Sequence, residues 1–218
     1  MRARLTQRST PKALHRASRP RISSTFIGTE RHIAFGLPSN GCNVRLSPYF
    51  LRAMGKIKDS ILVLGVGNTL LSDEGVGVRA IEALDERTET RALKLSLIDG
   101  GTIGLSLLVE MEDAGAMIVI DAGRIGAAPG TVRTFLGANM DDFLRNRGRN
   151  PHDISLDDLM DGLRLRDAIP ERRALVVVEP ESLAVGDILT PAVAAAVPAV
   201  VDSVIAIAAD WRRSGPVS

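Results

Sequence analysis

From about residue 60 onward, hydrophobic positions in this chain alternate between two patterns. Ile61-Leu62-Val63-Leu64 is an unbroken apolar run closed by Gly65-Val66-Gly67-Asn68, which predicts a strand buried on both faces and ending in a turn. Val76, Ala80, Ala83 and Leu84 then recur at helical spacing, so an amphipathic helix is predicted from Asp73 or Glu74 to Glu86. The alternation continues with strands predicted at Lys94 to Asp99, Met117 to Asp121, Thr131 to Leu136 and Ala174 to Val178. Helices are predicted at Ile103 to Asp113, Asn139 to Arg147 and Ser155 to Asp167, the last opened by a capping box of Ser155 and Asp158. A final, almost wholly apolar helix is capped by Thr190, has Pro191 at its first position, is kinked or split by Pro198, and packs broadly on the sheet. This order predicts an α/β three-layer sandwich, a twisted and mainly parallel sheet of about five strands with helices on both faces.

The first part of the chain breaks the pattern. Residues 1 to 53 show no helical or strand periodicity and are rich in Ser, Pro and Arg. They carry ten Lys or Arg against the single acid Glu30, a net +9, while the remainder holds 17 basic and 25 acidic residues, a net −8. The whole-chain value of +1 therefore joins two dissimilar pieces, a basic extension at 1–53 and a folded domain at 54–218. The extension reads as disordered. A transit peptide and a basic nucleic-acid-binding arm both suit this composition, and upstream sequence translated from a misassigned start is preferred because Met54 stands just before the first strand. The only cysteine, Cys42, lies in that extension, so no disulfide or thiolate metal site is expected in the domain. No run of about 18 or more apolar residues appears, which leaves a soluble, cytoplasmic protein as the expectation.

In open α/β sheets chemistry is done at the carboxyl ends of the strands, and this chain places acids there. Asn68, Asp73 and Glu74 follow the first strand, Asp99 ends the second and Asp121 the third. A dinucleotide fingerprint fails, because its third glycine is replaced by Leu70 and two carboxylates occupy the helix entrance where a pyrophosphate needs bare N–H groups. A cation fits better there. The alternative is structural, with Asp73 capping the helix and Glu74 complementing its dipole. His152 is the only histidine outside the extension, in a loop before a helix. With Glu74, Asp99 and Asp121 it makes a nitrogen and oxygen donor set that leaves positions open and suits Ni, Zn, Mn or Fe. No Gly-x-Ser-x-Gly elbow and no His-Glu-x-x-His helix occur, so hydrolysis here requires a carboxylate or a metal to activate water.

Taken in order, Ile61 to Gly77 (ILVLGVGNTLLSDEGVG), Asp99-Gly100-Gly101-Thr102, Val119-Ile120-Asp121-Ala122, Pro151-His152-Asp153, Pro180-Glu181-Ser182-Leu183 and Leu189-Thr190-Pro191 resemble the hydrogenase maturation peptidases. The resemblance runs from about Ser60 to Trp211 and implies a protease that trims the C-terminal peptide of a nickel-loaded [NiFe] hydrogenase large-subunit precursor. It implies that Glu74, Asp121 and His152 form a metal-binding trio and that Asp99 is a further functional acid, giving Glu74, Asp99 and Asp121 as catalytic candidates. The metal implied is the substrate's own nickel, with no organic cofactor, no nucleic acid, no membrane and a monomeric enzyme. Ser155 and Val177 stand where the family often has glycine, and residues 1 to 53 have no counterpart. The alternatives are a non-proteolytic metal-binding or chaperone module of the same fold and, disfavoured by Leu70, a nucleotide-binding domain.

Overall fold

The computed structural model describes residues 22–27, 30–35, 60–102, 104–146 and 155–215. Contacts divide the chain into two units, Met1–Lys56 and Ile57–Ser218. In the first, β1 (Ile22–Ile27) pairs antiparallel with β2 (Glu30–Phe35), Ile22 opposite Phe35 and Ile27 opposite Glu30. Strands thus form in a stretch whose sequence shows no strand periodicity. Ile22, Thr25, Phe26, Ile27, Ile33 and Phe35 are residues that favour a pleated backbone even without strict alternation.

The second unit is built on a five-stranded sheet in the order β4-β3-β5-β7-β6. Its strands are β3 (Ile61–Val66), β4 (Leu95–Gly101), β5 (Ala116–Ala122), β6 (Val132–Leu136) and β7 (Arg172–Val178). All neighbours run parallel except the edge strand β6, which is antiparallel to β7. The helices are α1 (Val76–Asp85), α2 (Thr88–Ala92), α3 (Leu107–Glu112), α4 (Ala138–Asn146), α5 (Leu156–Leu165) and α6 (Pro191–Arg213). The α/β sandwich expected from the sequence is therefore the observed architecture, with α2 an additional element.

Side-chain alternation sorts the core into two layers. Ile61, Val63, Ile118, Ile120, Val176 and Val178 face α1 and α6. Leu62, Leu64, Met117, Val119, Leu175 and Val177 face α3, α4 and α5. Burial on both faces is the reason these strands read as continuous apolar runs rather than as alternating ones.

Three details of the helices differ from expectation. The helix after β3 begins as a 3₁₀ turn, Ser72–Gly75, before α1 proper, and α3 is shorter than its pattern suggested. At α5 the capping box forms as read, with Ser155 N donating to Asp158 Oδ2 at 2.8 Å and Asp158 N donating to Ser155 Oγ at 3.3 Å. Pro198 neither splits the last helix nor ends it. It is exposed on α6, and the helix runs through to Arg213. That helix also corrects the membrane argument. An 18-residue window of α6 has a mean hydropathy of 2.1, long and apolar enough to cross a membrane by composition alone, because Pro198 and Asp202 interrupt the run without lowering its average much. Val193, Val200, Val201, Val204 and Ala208 are buried in the domain core, so one stripe of α6 is a core face.

An ion pair at the amino end of β7, far from the carboxyl ends of the strands, ties α4 to that strand. Asp141 accepts from Arg173 Nε at 3.0 Å and Nη2 at 2.7 Å, with Arg164 Nη2 at 3.3 Å. Burial pushes the Asp141 carboxyl up, but the hydrogen bonds and charges of Arg173 and Arg164 outweigh it and hold the group below its ordinary value. A depressed carboxylate contributes stability above the unfolded-state pKa near 4 and loses it as pH falls through the lower folded value. Asp141→Asn is expected to cost about 2–3 kcal/mol at pH 7, because it leaves Arg173 poorly compensated. Thermal melts of the two proteins should converge as pH drops below about 4. A constant gap down to acid pH would show that the carboxylate charge is not the source.

Candidate active site

The topological switch point fixes where to look. From β3 the chain passes outward to β4 and then back across to β5, so a crevice opens at the carboxyl ends of β3 and β5. Three of the four residues singled out from the sequence lie at this edge of the sheet, and they are not equivalent.

Glu74 lies on the 3₁₀ turn that follows β3, and this turn packs against β5. Two glycines make the approach possible. Gly67 has φ 137°, and a Cβ on it would overlap the carbonyl oxygen of Glu74. A Cβ on Gly77 would collide with Val66 and come to 2.6 Å from the carbonyl oxygen of Ile120. Gly67 and Gly77 therefore serve the close packing of the Glu74 turn and α1 on the ends of β3 and β5. Asp121 is the next residue after Ile120, is 4% exposed, and follows Met117 and Val119 onto the face covered by α3, α4 and α5. The backbone segments that carry Glu74 and Asp121 are thus adjacent at the switch point.

Asp99 is placed differently. It lies level with Gly65 in the β3–β4 register and, following Leu95 and Leu97, alternates onto the α1 and α6 face. It is exposed, and its Oδ1 accepts from Gly101 N at 2.8 Å in a turn closed by Gly67 N donating to Gly101 O at 2.9 Å. Asp99 and Asp121 accordingly flank β3 from opposite faces of the sheet. His152, with its Pro151-His152-Asp153 motif, falls outside the described residues, and no group of three or more His, Cys, Asp or Glu able to hold an ion occurs among the described residues.

Two further carboxylates at the same edge are buried, and the structural work each does differs from what its local sequence suggests. Asp73, 0% exposed, does not cap α1. Its Oδ2 accepts from Glu181 N and Ser182 N, both at 2.9 Å, and from Thr190 Oγ1 at 3.0 Å, while Oδ1 accepts from Thr190 N at 2.7 Å. Thr190 occupies the N-cap position of α6, yet its hydroxyl is spent on Asp73 rather than on the helix. Burial pushes the Asp73 carboxyl up, but this ring of donors holds it below its ordinary value. Glu179, 4% exposed at the end of β7, accepts from Ile125 N at 2.7 Å, Ala127 N at 3.3 Å and Arg124 Nη1 at 3.3 Å, and so shapes the loop that leaves β5 after Asp121. Burial opposes its charge as well, and the two amides with Arg124 more than offset it. The sequence held one signal for both, an acid next to the functional candidate or at a strand end before proline, but no local rule says which distant amides it meets.

A family model described as hydrogenase maturation protease matches residues 78–207. Hydrogenase 2 maturation protease of Escherichia coli K12 is 38% identical over 156 residues, covering 71% of this chain and 92% of the relative. Hydrogenase expression/formation protein HupD of Rhodobacter capsulatus is 38% identical over 137 residues, and there the match covers 62% of this chain and 65% of the relative. Among solved structures, the hydrogenase maturating endopeptidase HybD from E. coli superimposes with a TM-score of 0.61 at 35% identity, over 72% of this chain and 94% of that one. With the fold, the order of motifs and the family match in agreement, this chain belongs to the hydrogenase maturation protease family.

Proposed function

We propose that this protease removes the C-terminal peptide of a [NiFe] hydrogenase large-subunit precursor after nickel insertion, and that the substrate's bound nickel is the recognition signal. The observation that carries the reading is the corner at the switch point, where the turn bearing Glu74 packs on β5 beside Asp121. Two carboxylates there supply hard oxygen donors to a divalent cation, and His152 is assigned as the third donor. Such a set leaves coordination positions open, as contact with a metal already ligated by another protein requires. Asp99, exposed on the neighbouring strand end, is assigned to orienting the reacting groups or handling a proton, and Asp99→Asn retaining full cleavage removes it from the active set. The enzyme is read as a cytoplasmic monomer that needs no organic cofactor.

The test is mass spectrometry of a nickel-loaded and a nickel-free large-subunit precursor after incubation with the full chain. Loss of a C-terminal peptide from the loaded precursor alone is the expected result. Cleavage of both would remove nickel as the signal, and two intact precursors would favour the non-proteolytic chaperone reading.

A further inference from the structure

The segment Glu181–Thr190 is fastened to the loop that precedes Glu74 by more bonds than a surface connection ordinarily makes. Ser72 N donates to Gly186 O at 2.7 Å, Gly186 N to Leu70 O at 2.9 Å, and Asp73 N to Ser182 O at 3.2 Å. Ser72 Oγ reaches Ala184 O at 3.0 Å, and Arg79 Nη2 reaches Asp187 O at 3.3 Å. Leu71 and Gly186 form a parallel bridge. At the centre lies the Asp73 carboxylate, fully buried and accepting four bonds, three of them from backbone amides of that segment. The held segment meanwhile shows large apolar side chains to solvent, with Val185 89% and Ile188 77% exposed. A rigid backbone that displays apolar side chains beside a catalytic turn is shaped to meet another chain, because ordering it in advance lowers the entropy lost when a polypeptide is bound.

We propose that Asp73 is a positioning residue of the peptidase. Its carboxylate locks Glu181–Thr190 onto the turn of Glu74 as a preformed wall along which the protein substrate is aligned. This rests on the reading of the switch-point corner as the cleavage site. Asp73 itself touches no reacting atom and acts through the backbone it holds. Asparagine has the same shape but presents an amide group to donors on one side or the other of the ring, so Asp73→Asn unfastens the segment without creating a cavity.

Steady-state cleavage of the nickel-loaded precursor by the full chain separates this role from a merely structural one. A residue needed only for folding lowers the amount of active enzyme and leaves KM alone. Asp73→Asn is expected to raise KM by about tenfold or more while kcat per folded molecule stays within about threefold. Thr190→Val, which removes the hydroxyl donor but keeps the amide, should raise KM less, and Thr190→Ser should restore it. Amide hydrogen exchange at Glu181, Ser182 and Thr190 should be slow in the wild type and accelerated in Asp73→Asn, a readout independent of cleavage. If Asp73→Asn fails to fold, Thr190→Val decides, a raised KM supporting the wall and an unchanged KM overturning it. Unchanged KM in both folded variants, or unprotected amides in the wild type, also overturns it. A wild-type enzyme that does not cut the loaded precursor sinks the functional reading together with the wall, whereas cutting with wild-type KM in the variants sinks the wall alone.

Discussion

Glu74→Gln is expected to abolish cleavage of the nickel-loaded precursor, a loss on the order of 10³-fold or more in rate, while the protein melts within about 2 °C of wild type. The size of the first effect follows from charge. A neutral amide in the same volume neither balances a divalent cation nor accepts a proton from water, so both roles open to this carboxylate vanish at once. The smallness of the second follows from position. Glu74 is only partly buried on a short 3₁₀ turn, so glutamine leaves no cavity and the packing of that turn is set by its backbone. Precursor mass spectrometry beside a thermal melt of the same preparation checks both. Full cleavage by the glutamine variant would take Glu74 out of the site.

Gly67→Ala is expected to damage stability and activity together. At φ 137° an L side chain is strained, and the added Cβ would overlap the carbonyl of Glu74, a backbone atom that cannot swing aside. The strain and the overpacking together should cost about 3 kcal/mol or more, a fall of roughly 6–12 °C in Tm for a domain of this size. The comparison is Gly137→Ala. There φ is 52° and nothing lies within 4 Å, so only the left-handed backbone is penalised, by about 1–2 kcal/mol. Parallel denaturant titrations measure the difference. Because the overlap falls on Glu74 itself, the Gly67 variant should also cleave slowly at temperatures where it remains folded, and the Gly137 variant should not. Equal destabilisation at the two positions would mean that the approach of the Glu74 turn to β3 is not tight.

The wall held by Asp73 adds a second layer to the same corner. On the proposed reading, Glu74 and Asp121 concern what is recognised, whereas the segment from Glu181 to Thr190 concerns how a long substrate is brought to them. Separate kinetic signatures are expected for the two layers, loss of rate for Glu74→Gln and a raised KM for Asp73→Asn, since one acts on the reacting centre and the other on the path to it.

Local rules in the sequence determined the strands and the candidate acids. The runs Ile61 to Leu64, Met117 to Ile120 and Ala174 to Val178 are apolar on both faces, which only a central parallel strand requires, and the acids Asp99 and Asp121 stand at strand ends by count alone. The capping box at Ser155 was legible for the same reason, since both partners lie within one turn. The motif series from Ile61 to Pro191 carried the family, and the comparisons agree with it.

What tertiary structure alone decided concerns groups brought together from far apart. Asp73 reads locally as a helix cap, but its partners lie more than a hundred residues away at Glu181, Ser182 and Thr190, so the first motif and the last two close on one carboxylate. The face on which an acid ends a strand depends on register across the sheet, and that register puts Asp99 and Asp121 on opposite sides of β3. Pro198 in a helix and the apolar length of α6 are ambiguous by composition, and they resolve only when one stripe is seen against the core and the proline against solvent. In each case the physical cause is the same. Propensity and periodicity act over a few residues, while hydrogen-bond satisfaction and burial are conditions on the whole fold.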